Sequence, residues 1–301
     1  MSAPIAFGGG FAGWSEYLAM KGSLLSCVAC IALVALLSGT VACAGNIEPQ
    51  TVPISVPYPV GYAHANVTLE FGAANVNADA TGTTLIEGDI TYNTEGRHPT
   101  IVVDADTVDI VQGGPSGIIT GGNVNNWVLH FGGEMPFNMT INAGAYSGEW
   151  ELGGLPLTAL SINEGAADSV FSFSAPNPEA METLEINTGA GSMALVDVVN
   201  ANFERLVFNG GAGSLSADLG GELIRSGMVD INAGAASVIL LMPEQTPVRV
   251  RVGGGLHDVD ADAAFERLEG AYVTPGFNAH EGPSLEVEVT LIAGSVRLEL
   301  E

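Results

Sequence analysis

Short apolar stretches that alternate with polar residues run through most of this chain, and each ends at a glycine-containing break. Residues 183–187, 205–209 and 228–232 read TLEIN, RLVFN and MVDIN. Alternation of period two is the signature of half-buried β-strands. It sends Leu184, Ile186, Leu206, Phe208, Val229 and Ile231 to one side, and Glu185, Val207 and Asp230 to the other. After each break a second stretch begins, as in MALVDV, SLSAD and SVILL.

The breaks share one motif, an apolar residue, Asn, a spacer, Gly and Ala. The asparagines are Asn142, Asn163, Asn187, Asn209 and Asn232, and the glycines Gly144, Gly165, Gly189, Gly211 and Gly234, spaced by 21, 24, 22 and 23 residues. Weaker copies flank the series at Gly72 in LEFGAANV, then at Gly253 and Ile292, in that order along the chain. A regular period of this length marks a solenoid, because two short strands and a bend cannot bury an apolar face without a neighbouring coil. The expected fold is all-β, a single-stranded β-solenoid or β-roll of 21–24-residue repeats, preceded by an N-terminal signal or anchor segment. Asn suits a corner, where its amide bonds backbone or the amide of the next coil. Gly is expected there for a backbone conformation closed to other residues.

Three regions follow. Residues 1–42 read as a signal peptide or membrane anchor: Lys21 precedes an uncharged apolar run from Leu24 to Ser38, and Met20 is a candidate start. Residues 43–65 hold Pro49, Pro53, Pro57 and Pro59 and read as an extended tether. Residues 66–301 read as the solenoid domain, its first third less regular, with LIEGDITYN, TIVVDA and VDIVQ as strands of a cap. Thr40-Val41-Ala42-Cys43 is similar to a bacterial lipobox, which makes Cys43 the candidate lipidation site. An uncleaved anchor and plain secretion are the alternatives, and all three export the remainder. Cys27 and Cys30 lie inside the apolar run and read as small hydrophobes.

Charge narrows the partners. The chain of 301 residues carries a net charge of −26, and Lys21 is its only lysine. A surface this acidic repels phosphate polymers, so nucleic acid is excluded as a partner. The expected contacts are the membrane, through a lipid or the N-terminal apolar segment, and an envelope protein or a glycan.

Tests for chemistry find little. Asp258 to Glu269, DVDADAAFERLE, spaces Asp258, Asp260, Asp262 and Glu269 as in a calcium loop, but Ala263 stands where that loop needs Gly. GGAGSLSADL, from Gly210, lacks the Asp of calcium-binding β-rolls. His64, His98, His130, His257 and His280 are scattered without ligand spacing. Arg249 and Arg251 share one strand face, either a small anion site or an exposed surface. Trp127, Trp150 and Tyr146 suit either sugar stacking or a core. No acid–base constellation of a polysaccharide enzyme is present, so the chain is expected to be no enzyme and to use no cofactor or metal.

VTLEFGAANVNADATGTTLIEGDITYN, TIVVDADTVDIVQ, the INTGAG units, YVTPGF and LEVEVTLIAGSVRLEL together resemble the toast-rack domain, over residues 66–301. That domain occurs in LiaF-like cell-envelope stress proteins and in exported proteins of unknown role. The resemblance implies a β-solenoid-like fold outside the membrane and no catalytic residues. LiaF-like members carry several membrane helices and restrain a sensor kinase, whereas this chain has one apolar segment. The resulting expectation is a non-enzymatic, membrane-anchored interaction or scaffold module on the outer face of the bacterial cell membrane, in an envelope stress setting. A surface adhesin or glycan-binding solenoid is the alternative.

Overall fold

In a computed structural model the described residues are 43–44, 46–114, 118–119, 122–278 and 281–301. The Leu24–Ser38 run, Cys27, Cys30 and His280 lie outside them. Among the described residues no helix is long and apolar enough to cross a membrane.

The repeats form one regular stack. Strands β10 (Phe137–Glu151), β11 (Leu157–Ser172), β12 (Met181–Val196), β13 (Phe203–Asp218) and β14 (Gly227–Met242) each run straight through the glycine motif. Each pairs in parallel with the next, so Ile141, Ile162, Ile186, Phe208 and Ile231 align. Inward residues change parity at the motif: Leu184 and Ile186 are buried before it, Met193 and Leu195 after it. The bend thus turns both halves of every coil toward one core, as the alternation of each half requires. Trp150 stacks on Phe171 within it, with ring centroids 5.7 Å apart.

Before this stack come β1 (Cys43–Ala44), β2 (Asn46–Val56), β3 (Ala65–Phe71), β4 (Ala74–Gly82), β5 (Ile86–Thr94), β6 (Thr100–Asp104), β7 (Thr107–Val111), β8 (Ile118–Ile119) and β9 (Asn125–Gly132). After it come β15 (Val248–Ala261), β16 (Glu266–Leu268), β17 (Ala271–Val273) and β18 (Leu285–Leu300). Strands β3 and β4 are the two halves of a coil lying directly on β10, which sets Gly72 against Gly144 across an insertion in the chain. That insertion is the cap: β5, β7 and β9 extend the sheet, and β6 pairs with β7.

Two sequence expectations need correction here. Within residues 43–65 the stretch Asn46–Val56 is extended, but it is not a free tether. Strand β2 pairs antiparallel with β5 and buries Ile54 and Val56, so the folded body takes in β2 and does not begin at residue 66. Its prolines are tolerated because β2 is an edge strand, whose outer N–H groups have no ladder partner to lose.

The last two coils are also exchanged relative to chain order. β18 inserts between β14 and β15, which leaves β15 the last of the long strands, with only the short β17 and β16 beyond it. Burial gives the reason. An interior coil must present apolar residues along its whole length, and β18 supplies Leu285, Val287, Val289, Leu291, Val296 and Leu298, all buried. β15 carries Gly253 to Gly255 and two aspartates, a composition that only the end of the stack tolerates.

Candidate interaction surface

The corner carries the repeat's polar chemistry. Asn163, Asn187, Asn209 and Asn232 each donate from Nδ2 to Oδ1 of the asparagine one coil earlier, at 3.0, 3.0, 2.9 and 3.4 Å, with Asn142 the first acceptor. Side hydrogen bonds from Asn163 to Ser161 and from Asn187 to Glu185 hold the amides in plane. One lone pair of every ladder oxygen is left over for a ligand or water.

The glycines serve a purpose other than the expected one. None of Gly144, Gly165, Gly189, Gly211 and Gly234 has a positive φ. A Cβ at Gly165 would instead stand 3.0 Å from the Gly144 carbonyl oxygen, and those at Gly189, Gly211 and Gly234 still closer to the glycine carbonyl of the coil before. Close approach of stacked backbones, rather than a special dihedral, excludes side chains here. Positive φ is found two residues further on, at Gly191 and Gly213. The weak copies also shift: Gly255, not Gly253, stacks on Ile292, which breaks the glycine row with an exposed side chain.

Next to the glycines runs a row of alanines, Ala145, Ala166, Ala190, Ala212, Ala235 and Ala293, and two places further on a row of Ser147, Asp168, Ser192, Ser214, Ser237 and Ser295. The corner is therefore a smooth ridge with a polar row on either side. A groove of about 680 Å³ follows the ladder, lined among others by Glu70, Gln112, Asn142, Asn163, Asn187 and Asn209. A second, of about 560 Å³, lies across the ridge against Asn75, Asn125, Tyr146, Ser147 and Asp168.

One buried pair joins the two grooves beneath the ridge. Tyr146 lines the second groove and donates from its hydroxyl to Glu164 Oε2 at 2.9 Å, while Glu164 lines the first and also accepts from Ser169 at 3.3 Å. Burial pushes the Glu164 carboxyl above the usual carboxylate range, against the pull of hydrogen bonds from Tyr146, Thr188 and Ser169. Burial, and then the nearby Glu164, push the Tyr146 hydroxyl up as well.

At the cap end of the grooves is a network that the sequence did not announce. Arg97 is 2% exposed and donates to the Ala73 carbonyl at 2.6 Å, and burial lowers its pKa. Gln112 and Asn125 exchange amide hydrogen bonds beside it, at 3.0 and 2.7 Å. These partners are 13 to 52 residues apart in sequence and follow no repeat, so only the folded insertion brings them together.

The other candidates resolve simply. Trp127, Trp150 and Tyr146 are buried and belong to the core, which removes them as sugar-stacking platforms. Asp258 and Asp260 point outward from one strand, about 6.6 Å apart along it, instead of converging in a loop. Among the described residues no group of three or more His, Cys, Asp or Glu is arranged to hold a metal ion. Arg249 and Arg251 both face Glu286, at 3.7 and 3.6 Å, so that carboxylate already occupies the anion position between them. His64, His98 and His130 bond to Thr158, Tyr92 and Asp79 respectively, and share no centre. Cys43 lies in β1, whose backbone pairs in parallel with β8, so the candidate lipidation site adjoins the cap.

Residues 46–182 match the family model described as the N-terminal domain of toast_rack, DUF2154. This stretch is similar to the toast-rack N-terminal domain. It takes in the cap, β2 included, and the coils as far as the start of β12. No curated protein matches the chain. Among solved structures, a candidate cell adhesion protein from Clostridium sporogenes ATCC 15579 aligns with TM-score 0.47 and 17% identity, over 84% of this chain and all of its own. Candidate adhesins from Bacteroides fragilis NCTC 9343 and Parabacteroides merdae ATCC 43184 align with TM-scores 0.32 and 0.29, at 6% and 10% identity. They cover 83% and 84% of this chain, and 97% and 96% of their own. At such similarity no property passes from these proteins to this one.

Proposed function

We propose that this chain is a non-enzymatic interaction module of the bacterial cell envelope, held on the outer face of the cell membrane through Cys43 or the apolar segment before it. The observation that carries the reading is the corner surface. Five successive coils display the same unspent amide oxygens, flanked by two grooves and a hydroxyl row. Regular repetition of hydrogen-bonding groups suits an extended partner held at many weak points. Anchoring is supported by Lys21, the apolar run and the lipobox-like Thr40 to Cys43. An envelope stress setting for the module is suggested by the resemblance to LiaF-like proteins alone.

Mass spectrometry of the mature N-terminus tests the anchor. The expected result is a chain beginning at a diacylated Cys43, with Cys43→Ala shifting the protein out of the membrane fraction. An unmodified chain that is soluble in both forms would end the anchored reading.

A further inference from the structure

We infer that the outer edge of β15, from Leu256 to Ala261, is a docking site for a basic, extended segment of a partner protein, which adds to the sheet as one more strand. This names the partner chemistry of the interaction module and rests on that reading.

The ladder is unfinished at this place. β17 closes the edge of β15 only at Arg249 and Val250, and the part of β15 beyond the bend has β18 as its one strand neighbour among the described residues. The Asp262 N–H donates to the Leu298 carbonyl at 2.9 Å, which fixes the alternation. His257, Val259 and Ala261 therefore turn their N–H and C=O groups to the open side. The side chains of Val259 and Ala261 face the core but remain half-buried, since no coil covers them. An unpaired edge of this kind is a template for strand addition.

The small-residue ridge ends here too. The alanine row continues into Leu256, 84% exposed, and the glycine row into Ile292, 74% exposed. Leu256 stands at the start of the open edge, and Ile292 one strand further in, on β18. At the opposite end of the sheet, β2 is blunted by Pro49 and Pro53. β15 has no such block between Leu256 and Ala261.

Charge selects the occupant. Asp258 and Asp260 stand out from the open half-strand, and the facing Arg297 is shared between Asp260 and Glu299, each at 3.6 Å. A second copy of this chain would bring the same aspartates against them, in a protein of net charge −26. Like charges across a strand pair are destabilising, so self-pairing is disfavoured. The segment that fits alternates lysine or arginine, on the side of Asp258 and Asp260, with apolar residues that cover Val259 and Ala261.

The test uses the full-length protein in detergent and a fluorescent hexapeptide alternating lysine and valine, followed by anisotropy. Two comparison peptides carry the same residues in two blocks, or the alternating order with N-methylated backbone amides. The expected result is binding of the alternating peptide at least ten-fold tighter than either. An Asp258→Lys/Asp260→Lys protein should lose it and gain a glutamate–valine counterpart. Equal binding of all three lysine peptides, or none by the alternating one, would overturn the inference. In native membranes the double variant separates this idea from the broader reading. Partner cross-linking lost in the variant supports the edge, whereas cross-linking unchanged leaves an interaction module whose docking surface lies elsewhere. Peptide binding without any cross-linking partner would retain the edge and remove the envelope role.

Discussion

At the scale of residues, the Asn ladder and the glycine row make separable predictions. Asn187→Ala removes one donor and one acceptor from the middle of the row and strands the amides on both sides. The cost is about 1–3 kcal/mol, read as a lower thermal midpoint; an unchanged midpoint would deny the ladder a structural role. Gly189→Ala drives a methyl against the Gly165 carbonyl, and about 1–3 kcal/mol follows from overpacking. Gly253→Ala, with nothing near its Cβ position, should be close to neutral in the same melt. Glu164 makes a pH prediction. Its folded-state pKa is raised by burial, so the folded protein keeps a proton that the unfolded chain gives up. Stability therefore falls as pH rises from the ordinary carboxylate range through the raised value. Urea titrations across that window should show a shallower fall in Glu164→Gln. Some slope remains, because Asp197 is raised as well, by burial and then by Asp218 and Glu151. A slope identical to the parent's would exclude Glu164 as its source.

At the scale of elements, alternation and period made the strands and the corner readable. The inward sets Leu184/Ile186, Leu206/Phe208 and Val229/Ile231 are all buried as the pattern demands. Adjacency was less readable, since a strand's own pattern does not say which coil it will lie on. Gly72 reaches Gly144 only because an intervening segment folds back as a cap, and β18 displaces β15 only because its apolar run is complete. The proline content of β2 pointed to an extended chain, and it is extended; the missing information was the partner, β5. The order of the last coils can be tested by paired substitutions. Val289→Asp, inside β18, should destabilise by about 3 kcal/mol or more, as expected for an unpaired charge in a core. Val259→Asp, on the half-open β15, should cost markedly less in the same urea titration. The reverse ranking would restore the order of the sequence.

At the scale of the whole molecule, the net charge of −26 is plain in the composition, and the fold adds where an anchor at Cys43 would meet the body. Only Ala44 and Gly45 separate Cys43 from β2, so a lipid on Cys43 would hold the cap close to the bilayer. The candidate surface was half legible: the Asn row could be read from its spacing, whereas the Arg97 network depends on how the insertion folds and the Tyr146–Glu164 pair on the register between the neighbouring strands β10 and β11. The interaction-module claim is tested most directly by cross-linking the full-length protein in its native membranes and identifying what is captured, with Cys43→Ala as the control. The account predicts an envelope protein, recovered from the parent and lost from the control. Recovery of glycan with no protein partner would contradict it and favour the adhesin reading.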